Sequence, residues 1–157
     1  MTGGTFDKEY DEIHGQLYFK ETHLTEILKL GRCTVPVDIQ TLMMIDSLQM
    51  TEAHRKRIEE ACGTCAHERI IITHGTDTMV DTARMLAACH LPKTIILTGA
   101  MIPYKFGSSD GLFNMGCAIS YAQTLPHGVY VAMNGRYFNW DNVRKNRESG
   151  VFEEILL

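Results

Sequence analysis

Residues 69–83 read RIIITHGTDTMVDTA, and this stretch decides the fold. It opens on a β-branched apolar run, Ile70-Ile71-Ile72-Thr73, short enough for a strand buried on both faces. His74-Gly75 ends the run. From Thr76-Asp77-Thr78 onward, Met79, Ala83, Leu86, Ala87 and His90 fall at helical spacing. A strand that turns through glycine into a helix leaves its turn at the carboxyl end of a sheet, where open α/β folds bind ligands. Thr76 and Asp77 therefore bring a hydroxyl and a carboxylate to the free N–H groups of a helix start. A plainer reading makes Asp77 or Thr78 an ordinary N-cap, and spacing alone does not separate the two.

The same punctuation recurs downstream. Residues 94–98 form a second apolar strand ending in Gly99-Ala100-Met101-Ile102-Pro103, and residues 128–133 a third ending in the turn pair Asn134-Gly135. Between them, a Gly/Ser-rich loop over 104–110 leads to Asp110, the predicted cap of a helix. That helix carries Phe113, Cys117, Tyr121 and Thr124 at near-helical spacing, with Met115 or Ile119 beside them.

Upstream, Thr51 is a natural N-cap for a helix with Ala53, Arg57, Ile58, Ala61 and Cys62. Asp46-Ser47 lies in the junction before it, and either contacts a ligand at the same sheet edge or forms a plain turn. A short helix starting at Thr22 carries Leu24, Ile27 and Leu28 and ends near Gly31. Residues 33–37 and 41–45 read as extended, with Pro36 confined to an edge or a connection because it cannot donate. Strands alternating with helices predict one α/β domain over residues 1–157, with a doubly wound, mostly parallel sheet and helices on both faces.

At the amino end, Thr2-Gly3-Gly4-Thr5-Phe6 permits a tight turn with close backbone approach, and Thr5 supplies a hydroxyl there. It is not a dinucleotide fingerprint, because no GxGxxG follows a strand. Such a turn normally hangs from a strand. The expectation is therefore that a strand ahead of Met1 has been lost, or that the turn is held by other means. Residues 7–20 lack a sustained period and read as a mobile loop whose Tyr10 or Tyr18 would serve as a lid. The tail, residues 136–157, contains Trp140 and the basic Arg144, Lys145 and Arg147. It reads as a solvated arm, unless one lysine reaches back to the sheet edge.

Composition narrows the function. At 157 residues, 45% of them hydrophobic, the chain can bury a real core. A net charge of −4 without a basic cluster disfavours nucleic acid. No apolar run approaches the roughly 20 residues that span a bilayer, and no signal-peptide pattern opens the chain, so no membrane partner is expected. Five cysteines in no small-scaffold layout suggest a reducing cytoplasm. Cys62 and Cys65 form a CxxC, but without second-pair ligands for zinc and at the unfavourable end of a helix for redox work. The histidines show no paired spacing, so no metal and no cofactor are expected.

The turns at the ends of these strands offer two threonine hydroxyls, a carboxylate, a lysine, a tyrosine and backbone N–H groups. Threonine becomes a nucleophile when a base takes its proton, and a desolvated lysine can be that base. Turn N–H groups can hold an oxyanion, worth about 3–4 kcal/mol per donor in known cases. Acyl transfer from an amide or ester fits this inventory.

These motifs resemble the bacterial-type L-asparaginase family. The TGGTF turn at residues 2–6 is similar to that family's amino-terminal signature, and HGTDTM at residues 74–79 to its second. TGAMIP at residues 98–103, the following SDG at 109–111 and the MNG strand end match its order and spacing. The resemblance covers nearly the whole chain and corresponds to the family's amino-terminal domain. It implies that Thr5 is the nucleophile and that Thr76, Asp77 and Lys145 form a second hydrogen-bonded catalytic group. It implies that Ser47, with Asp46, holds the substrate's carboxylate end, that Asp77 meets its α-amino group, and that Ala100 lies in the substrate-binding set. Tyr10 is the implied lid tyrosine, with Tyr18 as the alternative.

The function expected from this is hydrolysis of L-asparagine to L-aspartate and ammonia, by a cytoplasmic homodimer or homotetramer acting on a small amino-acid amide. The alternatives are a non-catalytic amino-acid-binding protein, or an amidase for glutamine or another small amide.

Overall fold

The computed structural model describes residues 1–155. The chain runs β1 (Lys8–Asp11), β2 (Gln16–Phe19), α1 (Leu24–Leu30), α2 (Glu52–Thr64), β3 (Arg69–Thr73), α3 (Met79–Ala88) and β4 (Thr94–Thr98). It continues through α4 (Gly111–Thr124), β5 (Gly128–Met133), β6 (Arg136–Asn139), β7 (Arg144–Lys145) and β8 (Phe152–Glu153). The central sheet has the order β3-β4-β5-β6. Its first three strands are parallel and β6 closes it antiparallel.

Both faces of this sheet are covered, which is why its strands read as unbroken apolar runs. Ile72, Ile95, Leu97, Val129, Val131 and Met133 point into a core shared with Ile58 of α2 and with Met79, Ala83 and Leu86 of α3. The intervening Ile71, Ile96, Tyr130 and Ala132 pack on Ala118 and Ala122 of α4. One period of two thus serves two helical layers. A smaller cluster joins Met1 and Phe6 to Leu24 and Ile27 of α1, Ala100 and Met115. The α/β fold expected from the sequence is the fold found, with an antiparallel edge strand added.

Several local expectations are corrected. Residues 7–20 are not a mobile loop but the antiparallel hairpin β1–β2, with Lys8 opposite Phe19 and Asp11 opposite Gln16. Its tip folds by local bonds: the Asp11 carboxylate accepts from the N–H groups of Ile13 and His14 at 2.9 and 3.1 Å, and Gly15 adopts φ 65°. The inward stripe of α4 is Asn114, Met115, Ala118 and Ala122, whereas Phe113 is 61% exposed. Small residues let this helix approach the sheet, and the bulky stripe chosen from the sequence lies beside that contact.

The tail is also not a solvated arm over the described residues, and residues 156–157 lie outside them. Asn134 (φ 56°) and Gly135 (φ 80°) make the two-residue turn that starts β6. Phe138, Val143 and Phe152 are then buried.

The amino-terminal turn is held by backbone on two sides. Met1 amine donates to Gln40 O at 2.7 Å and Leu42 N–H to Met1 O at 2.9 Å, while Thr2 N–H donates to Thr73 O at 3.1 Å. Gly3 then bridges Ile45 in parallel.

All five cysteines are free. Burial pushes the Cys62 thiol up to about 11, which makes it inert. Among the described residues no helix is long and apolar enough to cross a membrane.

Candidate active site

The carboxyl ends of β3 and β4 meet the amino-terminal turn through contacts that only glycine allows. Gly4, at φ 81°, packs so closely on Gly75 that a Cβ would overlap its backbone. A Cβ on Gly75 would lie 2.5 Å from Ser47 Oγ, and one on Gly99 would overlap the carbonyl of His74. Four segments ending at Thr5, Ser47, Thr76 and Ala100 are thereby drawn into one cluster.

Within it, Lys145 Nζ donates to Thr76 Oγ1 and to Asp77 Oδ1, each at 2.8 Å. The Thr76 hydroxyl donates to Met101 Sδ at 3.6 Å. Lys145 arrives on β7, which pairs with β8. The side chain of Asn134, just beyond β5, accepts from Phe152 N–H at 3.0 Å and so fastens that arm to the sheet. The lysine side chain is only 11% exposed, so its charge is met by the carboxylate at short range. Asp77 is therefore not a helix cap. Thr78 occupies the cap position, and its hydroxyl donates instead to Ser47 O at 3.0 Å, tying the serine segment to α3.

The remaining expected residues are distributed unevenly. Thr5 is half-buried, and its hydroxyl has no hydrogen-bond partner among the described residues. Ser47 and Ala100 are buried against the cluster. Asp46 is engaged locally: it accepts from Leu48 N–H at 3.0 Å and forms an ion pair with Lys8. Burial pushes its carboxyl up, but the Lys8 and Leu48 contacts outweigh that and hold it below the ordinary aspartate value. Tyr10 sits on β1 opposite Leu17 and is 53% exposed. Tyr18, on β2, donates to Glu9 Oε2 at 3.3 Å.

Three supporting residues escaped the sequence reading. His74 is fully buried, with Nδ1 2.8 Å from Gly75 O and Nε2 2.8 Å from Thr82 Oγ1. A carbonyl can only accept, so the proton is assigned to Nδ1 and the Thr82 hydroxyl donates to Nε2. Burial pulls this imidazole down to about 4, so it is a neutral clamp on the turn before Thr76. Asn114 Nδ2 donates to Gly99 O and Asp110 Oδ2, both at 2.9 Å, and its Oδ1 accepts from Asn134 N–H at 3.1 Å. It joins the ends of β4 and β5. Lys8 holds the hairpin to Asp46. A polar residue on the buried stripe of α4 was the one available signal for Asn114.

Among the described residues no cluster of His, Cys, Asp or Glu could hold a metal ion. A lysine amine in contact with a hydroxyl and a carboxylate is equipped to move a proton.

Comparison with known proteins identifies the family and the fold. The family model described as Asparaginase, N-terminal matches residues 1–152. L-asparaginase 2 of Escherichia coli is 34% identical over 119 residues, 73% of this chain and 33% of its own. The Glutaminase-asparaginase of Acinetobacter glutaminasificans is 40% identical over 80 residues, 48% of this chain and 24% of its own. The thermostable L-asparaginase from Thermococcus kodakarensis superimposes with a TM-score of 0.86 at 26% identity, over 99% of this chain and 50% of that one. A probable cytoplasmic L-asparaginase from Campylobacter jejuni gives a TM-score of 0.81 at 26% identity, over 93% and 48%. The chain thus spans about half of these solved chains and between 24% and 33% of these two curated relatives. Sequence motifs, sheet order and the glycine-built cluster converge, and the chain belongs to the asparaginase family, matched along that family's amino-terminal domain.

Proposed function

We propose that this domain carries the catalytic side chains of an amidohydrolase that converts L-asparagine to L-aspartate and ammonia. The Thr5 oxygen adds to the side-chain amide carbon while its proton passes to a base, either Tyr10 or the Thr76–Lys145 pair. Turn N–H groups hold the oxyanion. The C–N bond then breaks, the nitrogen takes a proton and ammonia leaves an acyl-threonine ester. Water adds to that ester and releases aspartate, restoring the Thr5 hydroxyl. Ser47, with Asp46 behind it, holds the substrate carboxylate, Asp77 its α-amino group, and Ala100 lines the same pocket.

The observation that carries the reading is the Lys145–Thr76–Asp77 set, hydrogen-bonded at 2.8 Å beside the turn that ends in Thr5. We further propose a homodimer or homotetramer in a reducing cytoplasm, acting on a small amino-acid amide without a cofactor.

Ammonia release from asparagine and glutamine by purified protein tests this, run with Thr5→Ala and Thr76→Ala and with the solution mass. Both substitutions should abolish turnover and leave the fold intact. Near-normal release by both variants removes the assignment. Stabilisation by the amino acid without ammonia release leaves a binding protein. A higher rate on glutamine changes the substrate, which the glutaminase-asparaginase relative makes the first comparison to run.

A further inference from the structure

The Thr76 hydroxyl both accepts and donates. Lys145 Nζ, 2.8 Å away, carries only donors, so Thr76 Oγ1 accepts from it. The threonine proton therefore points elsewhere, and its acceptor is the thioether of Met101, with Sδ at 3.6 Å. A thioether is a weak acceptor, so this bond orients the proton without holding it against a stronger one.

The sulfur is placed by contacts on both sides. Met101 N–H donates to Asp110 Oδ1 and Oδ2 at 3.0 and 3.1 Å, and Ile102 N–H to Oδ1 at 3.0 Å, which fixes the backbone beyond β4. At the far end of the side chain, Met101 Cε lies against Gly150, where a Cβ would stand 3.4 Å away. Gly150 belongs to the turn between β7 and β8, so Met101 lies between Thr76 and the arm that carries Lys145. Even so, the residue is open to solvent. The nine methionines all fall among the described residues, and Met101, at 37%, is the only exposed one. The others are buried or half-buried.

We propose that Met101 is an oxidation site that governs the Thr76 proton, with a hydroperoxide as the reagent. With hydrogen peroxide, a sulfur lone pair attacks one peroxide oxygen, the O–O bond breaks and an S–O bond forms. Sulfur loses two electrons to the peroxide. The other oxygen leaves as hydroxide and takes the proton of the transferred one, which gives water and the sulfoxide. The sulfoxide oxygen is a far stronger acceptor than the thioether it replaces. It holds the Thr76 proton and takes that hydroxyl out of the exchange with Lys145. The thioether is thus the working state, and a methionine sulfoxide reductase with a thiol reductant returns it. The consequence for turnover rests on the reaction proposed above, whereas the oxidation site and its bond to Thr76 do not.

Hydrogen peroxide applied to the purified full chain tests this, followed by dithiothreitol to restore reversibly oxidised thiols. Peptide mass mapping should show an added oxygen at Met101 before any other methionine reacts. The kcat for ammonia release should then fall at least about tenfold, with KM changed less than about threefold, because the lost interaction serves proton transfer and not binding. Sulfoxide reductase should restore the rate, and the rate of Met101→Leu should not respond to peroxide. Thermal unfolding gives a readout free of turnover. Oxidation should lower the melting temperature of Thr76→Val by more than that of the parent, because only the parent has a hydroxyl to bond the sulfoxide. Earlier oxidation of another methionine, an unchanged kcat in Met101-oxidised protein, or equal inhibition of Met101→Leu overturns the proposal. So does an equal drop in melting temperature in parent and Thr76→Val. A parent that releases no ammonia from asparagine or glutamine removes the reaction instead, and the mapping and unfolding results then decide the oxidation site by themselves.

Discussion

The two halves of the candidate site are built to different standards. At the end of β3, Thr76, Asp77 and Lys145 share hydrogen bonds, and His74 clamps the turn that carries them. Each of these side chains stands on, or is fastened to, the central sheet. Across from them, the Thr5 hydroxyl has no partner among the described residues. The hairpin that follows Thr5 meets the body through a few polar contacts: Lys8 with Asp46, Glu9 Oε1 3.4 Å from His23 Nε2, and the Asp7 carboxylate accepting from His23 N–H at 3.1 Å. The half proposed to handle protons is preorganised by its own hydrogen bonds, whereas the hairpin carrying the proposed lid, beyond the buried turn of Thr5, is tethered at fewer points.

The strongest way to break this comparison is to remove the centre of the rigid half. Lys145→Met keeps the stem and deletes the amine, and should lower kcat by roughly 10²–10⁴-fold, the span of general acid–base catalysis. Asp77→Asn keeps a hydrogen-bond acceptor for Lys145 but not its charge. Steady-state rates with circular dichroism check both variants. A Lys145→Met enzyme within about threefold of the parent rate would remove proton handling from this half, since positioned acid–base groups contribute far more than that.

His74 provides the next largest effect, read as stability against pH. In the fold its imidazole titrates at about 4, against an ordinary value of 6.5 in the unfolded chain. The unfolded state therefore binds the extra proton in that interval, and stability falls as pH drops from 6.5 toward 4. At about 1.4 kcal/mol per pH unit, the loss below the interval is roughly 3 kcal/mol. Buried Asp7 works in the opposite sense, because burial raises its carboxyl. The difference between the parent and His74→Asn isolates the histidine. Urea unfolding from pH 4 to 8 should show a flatter profile in the variant, and identical profiles would mean that His74 is no neutral clamp.

Asn114 tests whether the rigid half depends on the links between strand ends. Asn114→Ala leaves Gly99 O and Asn134 N–H without their partner, which should cost roughly 2–3 kcal/mol in unfolding free energy. A loss below about 0.5 kcal/mol, the scale of ordinary surface substitutions, would show that the β4 and β5 ends hold without it.

What could be read beforehand follows the same division. β3, β4 and β5 are buried on both faces, so their composition alone marks them as strands. Glycine turns at their ends pointed to Thr76 and Asp77, and motif order to Thr5, Ser47 and Lys145, of which the structure joins Lys145 to Thr76 and Asp77 by hydrogen bonds. The β1–β2 hairpin was missed because its burial pattern gives almost no apolar alternation to detect. Phe138, Val143 and Phe152 looked like parts of a tail because residues 136–153 mix apolar residues with Arg136, Asp141, Arg144, Lys145 and Glu153 at no sustained period. His74, Asn114 and Lys8 act only through partners distant in sequence, with Asp46 lying 38 residues from Lys8. No local pattern encodes such a pair.

Lys8→Met gives the smallest effect and bears on the tethered half. The substitution keeps an apolar stem near the Phe19 ring, which Lys8 Nζ overlies at 5.7 Å. It removes the charge that holds β1 to Asp46. The pair is partly exposed, at 16% and 30%, so global stability should change by about 1 kcal/mol or less. The larger consequence should be local. Amides of residues 8–19 should exchange faster, and KM should rise more than kcat falls, because a loosened lid weakens binding while Lys145 and Thr76 stay in place. Raising ionic strength should move the parent part of the way toward the variant, as expected for a pair reached by solvent. If Lys8→Met instead destabilised the whole domain as much as Asn114→Ala, the hairpin would belong to the rigid body, and the contrast between the two halves would disappear.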